Sequence, residues 1–357
     1  MKYIVFILLL ALCSVTHAES YKPAAADTLA LGTPLPLTKQ MQQLLLQLAV
    51  QQSDSTALEL VALYLQGARQ PGFEPWFHEA DHWLSTVSSN VYTSVNYWLL
   101  LADIQQQQHQ FEAALISLNQ VFMQQPKHIS ASLMAARIYL ATAQHQAAQN
   151  ACARLWQQEL FLFSVCSYEV AGRKGDWSQS YPALIALYRR QSLLPAQIDL
   201  WYRGILAEQA EQLGQISEAK AWLSPVVAAA PTSLWLKWAD LSLQLGEASQ
   251  VYQKLSVKQQ SIGLADSLLI RLVVAERQLS EQSSFAAELA QRVEVRLARG
   301  DTDHTADLAY YFLKVEPNPQ AAVYWAELNY RSAKEPDDFQ LLQQSKLALS
   351  RLKEISR

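Results

Sequence analysis

Five consecutive residues, His78-Glu79-Ala80-Asp81-His82, set two imidazoles about one helical turn apart with a carboxylate between them. On a helix, that spacing puts both histidines on one side, where they could hold a zinc ion while Glu79 activates a bound water for hydrolysis. A third protein ligand would complete such a site. The flanking residues oppose this chemistry. At 100° per residue, the apolar stripe Trp76, Ala80, Leu84 and Val87 lies nearly opposite His78 and His82, so burying the stripe turns both imidazoles to solvent. Asp81 adds a charge between the would-be ligands, and no strand-rich segment follows to supply a catalytic sheet. The reading is a solvated helix face, with a zinc-binding protein or zinc metallopeptidase using His78 and His82 as the alternative. Asp301, Asp303, His304 and Asp307 form another polar cluster, but it lacks the glycine and closing glutamate of a calcium loop. Thr302 or Asp303 capping a helix explains it better. No glycine-rich phosphate loop or nucleophile motif occurs, so no cofactor and no enzymatic activity are expected.

The elements that position side chains in this chain come from a repeated unit. Two small residues 12 apart, followed 12 further on by a closing residue, occur at Ala102, Ala114 and Pro126, and at Ala136, Ala148 and Leu160. They recur at Ala171, Ala183 and Pro195, and at Ala207, Ala219 and Pro231, so successive copies are 34, 35 and 36 residues apart. Two helices cross closely only where neither projects a large side chain, which requires one small residue on each. With Trp98-x2-Leu101-Ala102 at the head of the first copy, the pattern resembles the tetratricopeptide repeat superfamily. It departs from that family in having Ala where Gly is preferred. Gln105, Lys174 and Ala210 replace an aromatic that Tyr139 alone keeps. The resemblance implies an all-α fold: a right-handed α-α superhelix, or solenoid, of about six to seven helix pairs with a C-terminal capping helix.

Lys2, the apolar run from Tyr3 to Leu12 and the small-residue exit Thr16-His17-Ala18 have the form of a secretory signal peptide over residues 1–18, cleaved after Ala18. The run falls short of the ~20 apolar residues that span a bilayer, and Leu12 before Cys13 is wrong for lipid attachment. The expected location is the periplasm, with no direct membrane insertion after cleavage. Residues 19–37 read as a flexible Ala/Pro-rich leader. Residues 38–94 hold N-terminal helices and a degenerate first repeat, with Thr38 as a cap; residues 95–263 hold the repeats; and residues 264–357 hold divergent repeats and the capping helix. The tail after Leu308 is similar in texture to the ends of exported repeat proteins of proteobacteria. Arg299-Gly300-Asp301 reads as a helix stop.

The chain carries 28 basic and 32 acidic side chains, a net charge of −4, and loss of Lys2 with the leader makes it more acidic by one. Nucleic acid is therefore not an expected partner. Cys152 and Cys166 remain after cleavage, equally distant from a turn near Glu159. They are either a disulfide between adjacent helices or two buried thiols, and both readings stand.

In the tetratricopeptide family the first helix of each pair lines the concave side. The resemblance therefore implies a groove that binds a protein or extended peptide and includes Asn96, Leu99, Asp103 and Gln106, then Arg137, then Tyr168 and Asp176, then Trp201, Glu208 and Glu211, then Asp240. As a surface this is acidic, which favours a basic or polar segment, with Tyr168 and Trp201 as aromatic anchors. The expected role is a non-catalytic scaffold or adaptor whose partner is a protein or peptide of unknown identity, serving assembly of an envelope complex.

Overall fold

The computed structural model describes residues 35–280, 283–302 and 304–355. The expected signal peptide, most of the Ala/Pro-rich leader and Asp303 fall outside these residues. Among the described residues the regular structure is helical throughout. Local chemistry sets the ends: Thr38 accepts the Met41 N–H to open α1 (Lys39–Val50), and Ser53 accepts the Thr56 N–H to open α2 (Asp54–Ala68).

From α2 onward the helices pack in consecutive pairs. α2 pairs with α3 (Trp76–Ser85), α4 (Val95–Gln107) with α5 (Phe111–Gln124), and α6 (Ile129–Ala141) with α7 (His145–Ala153). α8 (Leu160–Arg173) pairs with α9 (Trp177–Arg189), α10 (Ala196–Gln212) with α11 (Ile216–Leu223), and α12 (Thr232–Gln244) with α13 (Ala248–Ile262). α14 (Asp266–Leu279) and α15 (Ala286–Arg299), then α16 (Thr305–Lys314) and α17 (Pro319–Ser332), complete the array. α18 (Pro336–Ile355) packs on both α16 and α17 and buries Leu342 against Ala309 and Ala326, which makes it the cap. Gly300, left-handed at φ +62°, stops α15 and accounts for the Arg-Gly-Asp string.

Five pairs share one turn, and it fixes their register. In each, a left-handed residue precedes the second helix, at His109, Ala143, Gly175, Gly214 and Gly246. The next N–H closes back onto a carbonyl: Gln110 to Gln105 at 2.8 Å, Gln144 to Tyr139 at 2.7 Å, Asp176 to Ala171 at 3.1 Å, Gln215 to Ala210 at 2.9 Å and Glu247 to Ser242 at 2.9 Å. The left-handed residues stand 34, 32, 39 and 32 apart. The third copy is therefore misplaced in the small-residue pattern. Ala171 aligns with Gln105 and Tyr139, and the residues matching Ala102 and Ala114 are Tyr168 and Ser180. Tyr168 is too large for a close crossing, and the close approach moves one turn along to Gly172. A Cβ there would come within 2.8 Å of the Trp177 ring and 2.7 Å of Gln209.

The array winds until distant pairs meet edge to edge. The backbone N–H of Thr232, at the start of α12, donates to the Arg69 carbonyl after α2 at 2.7 Å, and the Lys334 N–H before α18 donates to the Ala141 carbonyl of α6 at 2.7 Å. Glu74 ties the first of these contacts, accepting from Thr232 Oγ1 at 2.8 Å and from the Gly72 N–H at 2.9 Å. The His109 and His304 rings meet edge to face at 5.5 Å. Gly72 is needed at this seam. Its φ is +88°, and a Cβ would lie 2.6 Å from the Gly263 carbonyl oxygen. Gly72→Ala should therefore destabilise the protein by about 1–3 kcal/mol from overpacking and backbone strain. A denaturant titration checks this, and an unchanged midpoint would mean that the seam is not closed in solution.

Candidate functional site

His78 and His82 lie on α3 with both side chains exposed, while Trp76, Ala80, Leu84 and Val87 on the other side are buried. Glu79 and Asp81 are exposed as well. Among the described residues no group of three or more His, Cys, Asp or Glu side chains is placed to hold a metal ion. Nothing in the structure therefore favours the zinc alternative.

The polar architecture lies on the first helices of the pairs. They face inward, since side chains of α8 and α12 reach across the array to the start of α18. Six residues before each left-handed turn residue stands a charge: Asp103, Arg137, Glu169, Glu208 and Asp240. One register position on the first helices of successive pairs thus forms a ladder. Four of its members are groove residues expected from sequence. The fifth, Glu169, is hidden by the slipped register, which puts Gly172 at that position; the expected Asp176 sits in the turn before α9.

The expected acidic surface is corrected by pairing. Arg69 pairs with Asp103. Arg173 grips Glu208 with two bonds, 2.5 Å and 2.6 Å, and Lys237 bonds Glu211 at 2.6 Å. Arg271 holds both oxygens of Asp240 at 3.0 Å and stacks its guanidinium 3.8 Å from the Tyr310 ring, whose hydroxyl donates to Asp240 at 2.9 Å. Arg271 also lies 3.8 Å from Asp307. Each groove carboxylate expected on the first helices thus meets a cation from a neighbouring helix or, for Asp103, from the residue that caps the end of α2. Arg137 is exposed and makes no ion pair among the described residues.

The other expected groove residues divide. Tyr168 is 37% exposed, whereas Trp201 is half-buried and packs into the apolar core from both sides. Leu99 also packs on the core; Gln106 is half-buried, and Asn96 is exposed in the first turn of α4. Sequence reasoning missed Arg173, Lys237, Arg271 and Tyr310. The left-handed turn residue, glycine in three of the five turns, is the signal that would have set the register. Cys152 and Cys166 are bonded, with a Cα separation of 5.7 Å, joining α7 to α8.

Crowding inside the groove moves its titrations. Burial pushes Glu169 up to about 7, with Arg173 and Arg137 opposing and Glu208 and Glu335 assisting. Burial disfavours the charge on Lys237, yet Asp337 and Glu211 hold it above its ordinary value. A carboxyl raised in the folded state stabilises the protein below its unfolded value near 4.5, and that contribution is lost as pH rises through about 7. The melting temperature of wild type minus that of Glu169→Gln should therefore fall between about pH 5 and about pH 8. A difference that stays flat would remove Glu169 from the titrating set.

No family model matches the chain, and no curated protein matches it. Among solved structures it is similar to the hetero-tetramer Cut9–Hcn1 of the APC/C at 14% identity and TM-score 0.37, covering 85% of this chain and 66% of that one. It is also similar to the Naa15/Naa10 complex bound to HypK-THB, at 12% identity and TM-score 0.32 over 88% of this chain and 50% of that one. The P58(IPK) TPR domain gives 14% identity and TM-score 0.22 over 88% of this chain and 98% of that one. The likeness is loose, and the repeat architecture rests on the helix pairs themselves.

Proposed function

We propose that the protein is a non-catalytic scaffold that holds an extended segment of a partner protein along its inner groove, acting after export in the periplasm in the assembly of an envelope complex. The observation that carries this reading is the ladder: charged side chains recur at one position on the first helices of five successive pairs, facing a common groove. A repeating row of that kind suits a repeating backbone with spaced side chains better than a compact small molecule. Export is supported by the apolar leader before Ala18 and by the Cys152–Cys166 bond, which persists in an oxidising compartment.

The test is affinity capture from cross-linked envelopes with the chain from residue 19 to 357. Arg137→Glu is the groove variant, because it reverses an exposed charge without breaking an ion pair. His78→Ala/His82→Ala is the control. A partner recovered by wild type and control but lost with Arg137→Glu is the expected result. Equal recovery by all three would reject the groove.

A further inference from the structure

The groove already holds a piece of its own chain. The crossing begins at Ala333, which is extended (φ −115°, ψ 125°), and the Lys334 N–H then donates to the Ala141 carbonyl. Glu335 reaches Arg173 Nη2 at 3.4 Å from 162 residues away, and Asp337 reaches Lys237 Nζ at 2.5 Å from 100 residues away. Two carboxylates two residues apart thus sit on the two cations that serve Glu208 and Glu211.

The two sets of carboxylates are not equivalent. Glu208 and Glu211 keep 18% and 10% of their side-chain surface accessible, whereas Glu335 and Asp337 keep 50% and 59%. The bond from Arg173 to Glu335 is also much longer than the two bonds to Glu208. Glu208 and Glu211 are therefore built into the wall, while Glu335 and Asp337 lie on it with half or more of their side-chain surface open to solvent.

Donors are left over at the same place. Arg173 Nη1 is buried on a side chain that is only 9% accessible, and it has no acceptor among the described residues. Gln212 Nε2 is likewise buried without an acceptor among the described residues, and Gln212 ends α10 as Arg173 ends α8, each two residues before its left-handed turn glycine. Buried donors without acceptors are costly, and a negatively charged oxygen is the acceptor that suits them best. A basic segment would bring further donors to a wall that already has too many.

We infer that the groove's ligand is an acidic segment whose carboxylates displace Glu335 and Asp337 from Arg173 and Lys237 and supply the oxygens that Arg173 Nη1 and Gln212 Nε2 lack, so that the first turn of α18 is a built-in competitor. This rests on the groove being the binding surface. It reverses the preference for a basic segment expected from the sequence. It also makes the cap helix a gate, since the segment leading into α18 must lift for the ligand to enter.

The probe is a fluorescent peptide of residues 331–342 of this chain, with a second peptide in which its three acidic residues become lysine. Both are titrated by fluorescence anisotropy against the chain from residue 19 to 357. Glu335→Gln/Asp337→Asn frees the seat at two exposed positions, and circular dichroism checks that it is folded. The acidic peptide should bind this variant about tenfold more tightly than wild type, a difference of about 1.4 kcal/mol. Adding Gln212→Leu, which touches no ion pair, should weaken that binding, and the lysine peptide should not bind. Equal affinity for wild type and the double variant, or for both peptides, would overturn the competitor. If envelope capture still depends on Arg137 in that case, the groove reading survives and the acidic ligand does not. If both assays are indifferent to the groove, both fall.

Discussion

Replacing Arg173 by leucine should lower the unfolding free energy by about 3–5 kcal/mol, the usual cost of leaving a buried partner charge uncompensated. Arg173 is the one cation bonded to Glu208 among the described residues, and it also opposes the upward push on Glu169. Without the guanidinium, Glu169 and Glu208 repel each other in a crowded groove, and both already sit above their ordinary values because of burial. The variant should therefore lose most stability at high pH and recover part of it as pH falls and the carboxyls take up protons. The double variant Arg173→Leu/Glu208→Leu should lose less than the single one, since it leaves one carboxylate fewer and fills the space with apolar atoms. Urea titrations of the three proteins at two pH values test this. A single-variant loss below ~1 kcal/mol, the range of exposed pairs, would show that the ladder is a solvated surface.

Reducing the Cys152–Cys166 bond, or replacing both cysteines by alanine, should cost about 3 kcal/mol, as expected for a closed loop of this length. The bond lies where the connection between two pairs lacks a proline. In the register of the left-handed turns, Leu160 stands where Pro126 and Pro231 stand in other copies, and Ser192 stands there in the next. Proline fixes the backbone at the entrance to a helix. Here the link from Cys152 at the end of α7 to Cys166 in α8 takes over that restraint. Thermal melting with and without reductant checks it, with the cysteine-free variant as a control insensitive to reductant. Identical curves for wild type in both conditions would mean that the bridge contributes nothing.

The helix pairs are legible in the sequence because buried small residues and apolar stripes recur with a period near 34, as in Ala102 with Ala114 and Ala136 with Ala148. The third pair reads three residues late. Tyr168 occupies a position where the pattern calls for a small residue, and alanines at 171 and 183 offer a false match with the same internal spacing. That shift hides Glu169. The pairing of the groove is hidden for another reason. Arg271, Glu335 and Asp337 meet partners that are remote in sequence, and only the curvature of the array decides which helices approach. A residue's charge is legible in sequence, but whether that charge is matched is a property of the winding. The solvent-facing histidines of α3 need no winding, since one amphipathic helix settles their orientation.

The edge contacts joining Arg69 to Thr232 and Ala141 to Lys334 also bear on how such a chain can change over generations. An open array tolerates duplication or loss of a whole unit, because each unit touches only its neighbours. Here a unit gained or lost between residues 75 and 229 would rotate the later helices past their counterparts, and Gly72 would no longer find the backbone at Gly263. The number of units is thereby held as firmly as the size of a ring. Change is left to substitution inside units and to loops away from the seam.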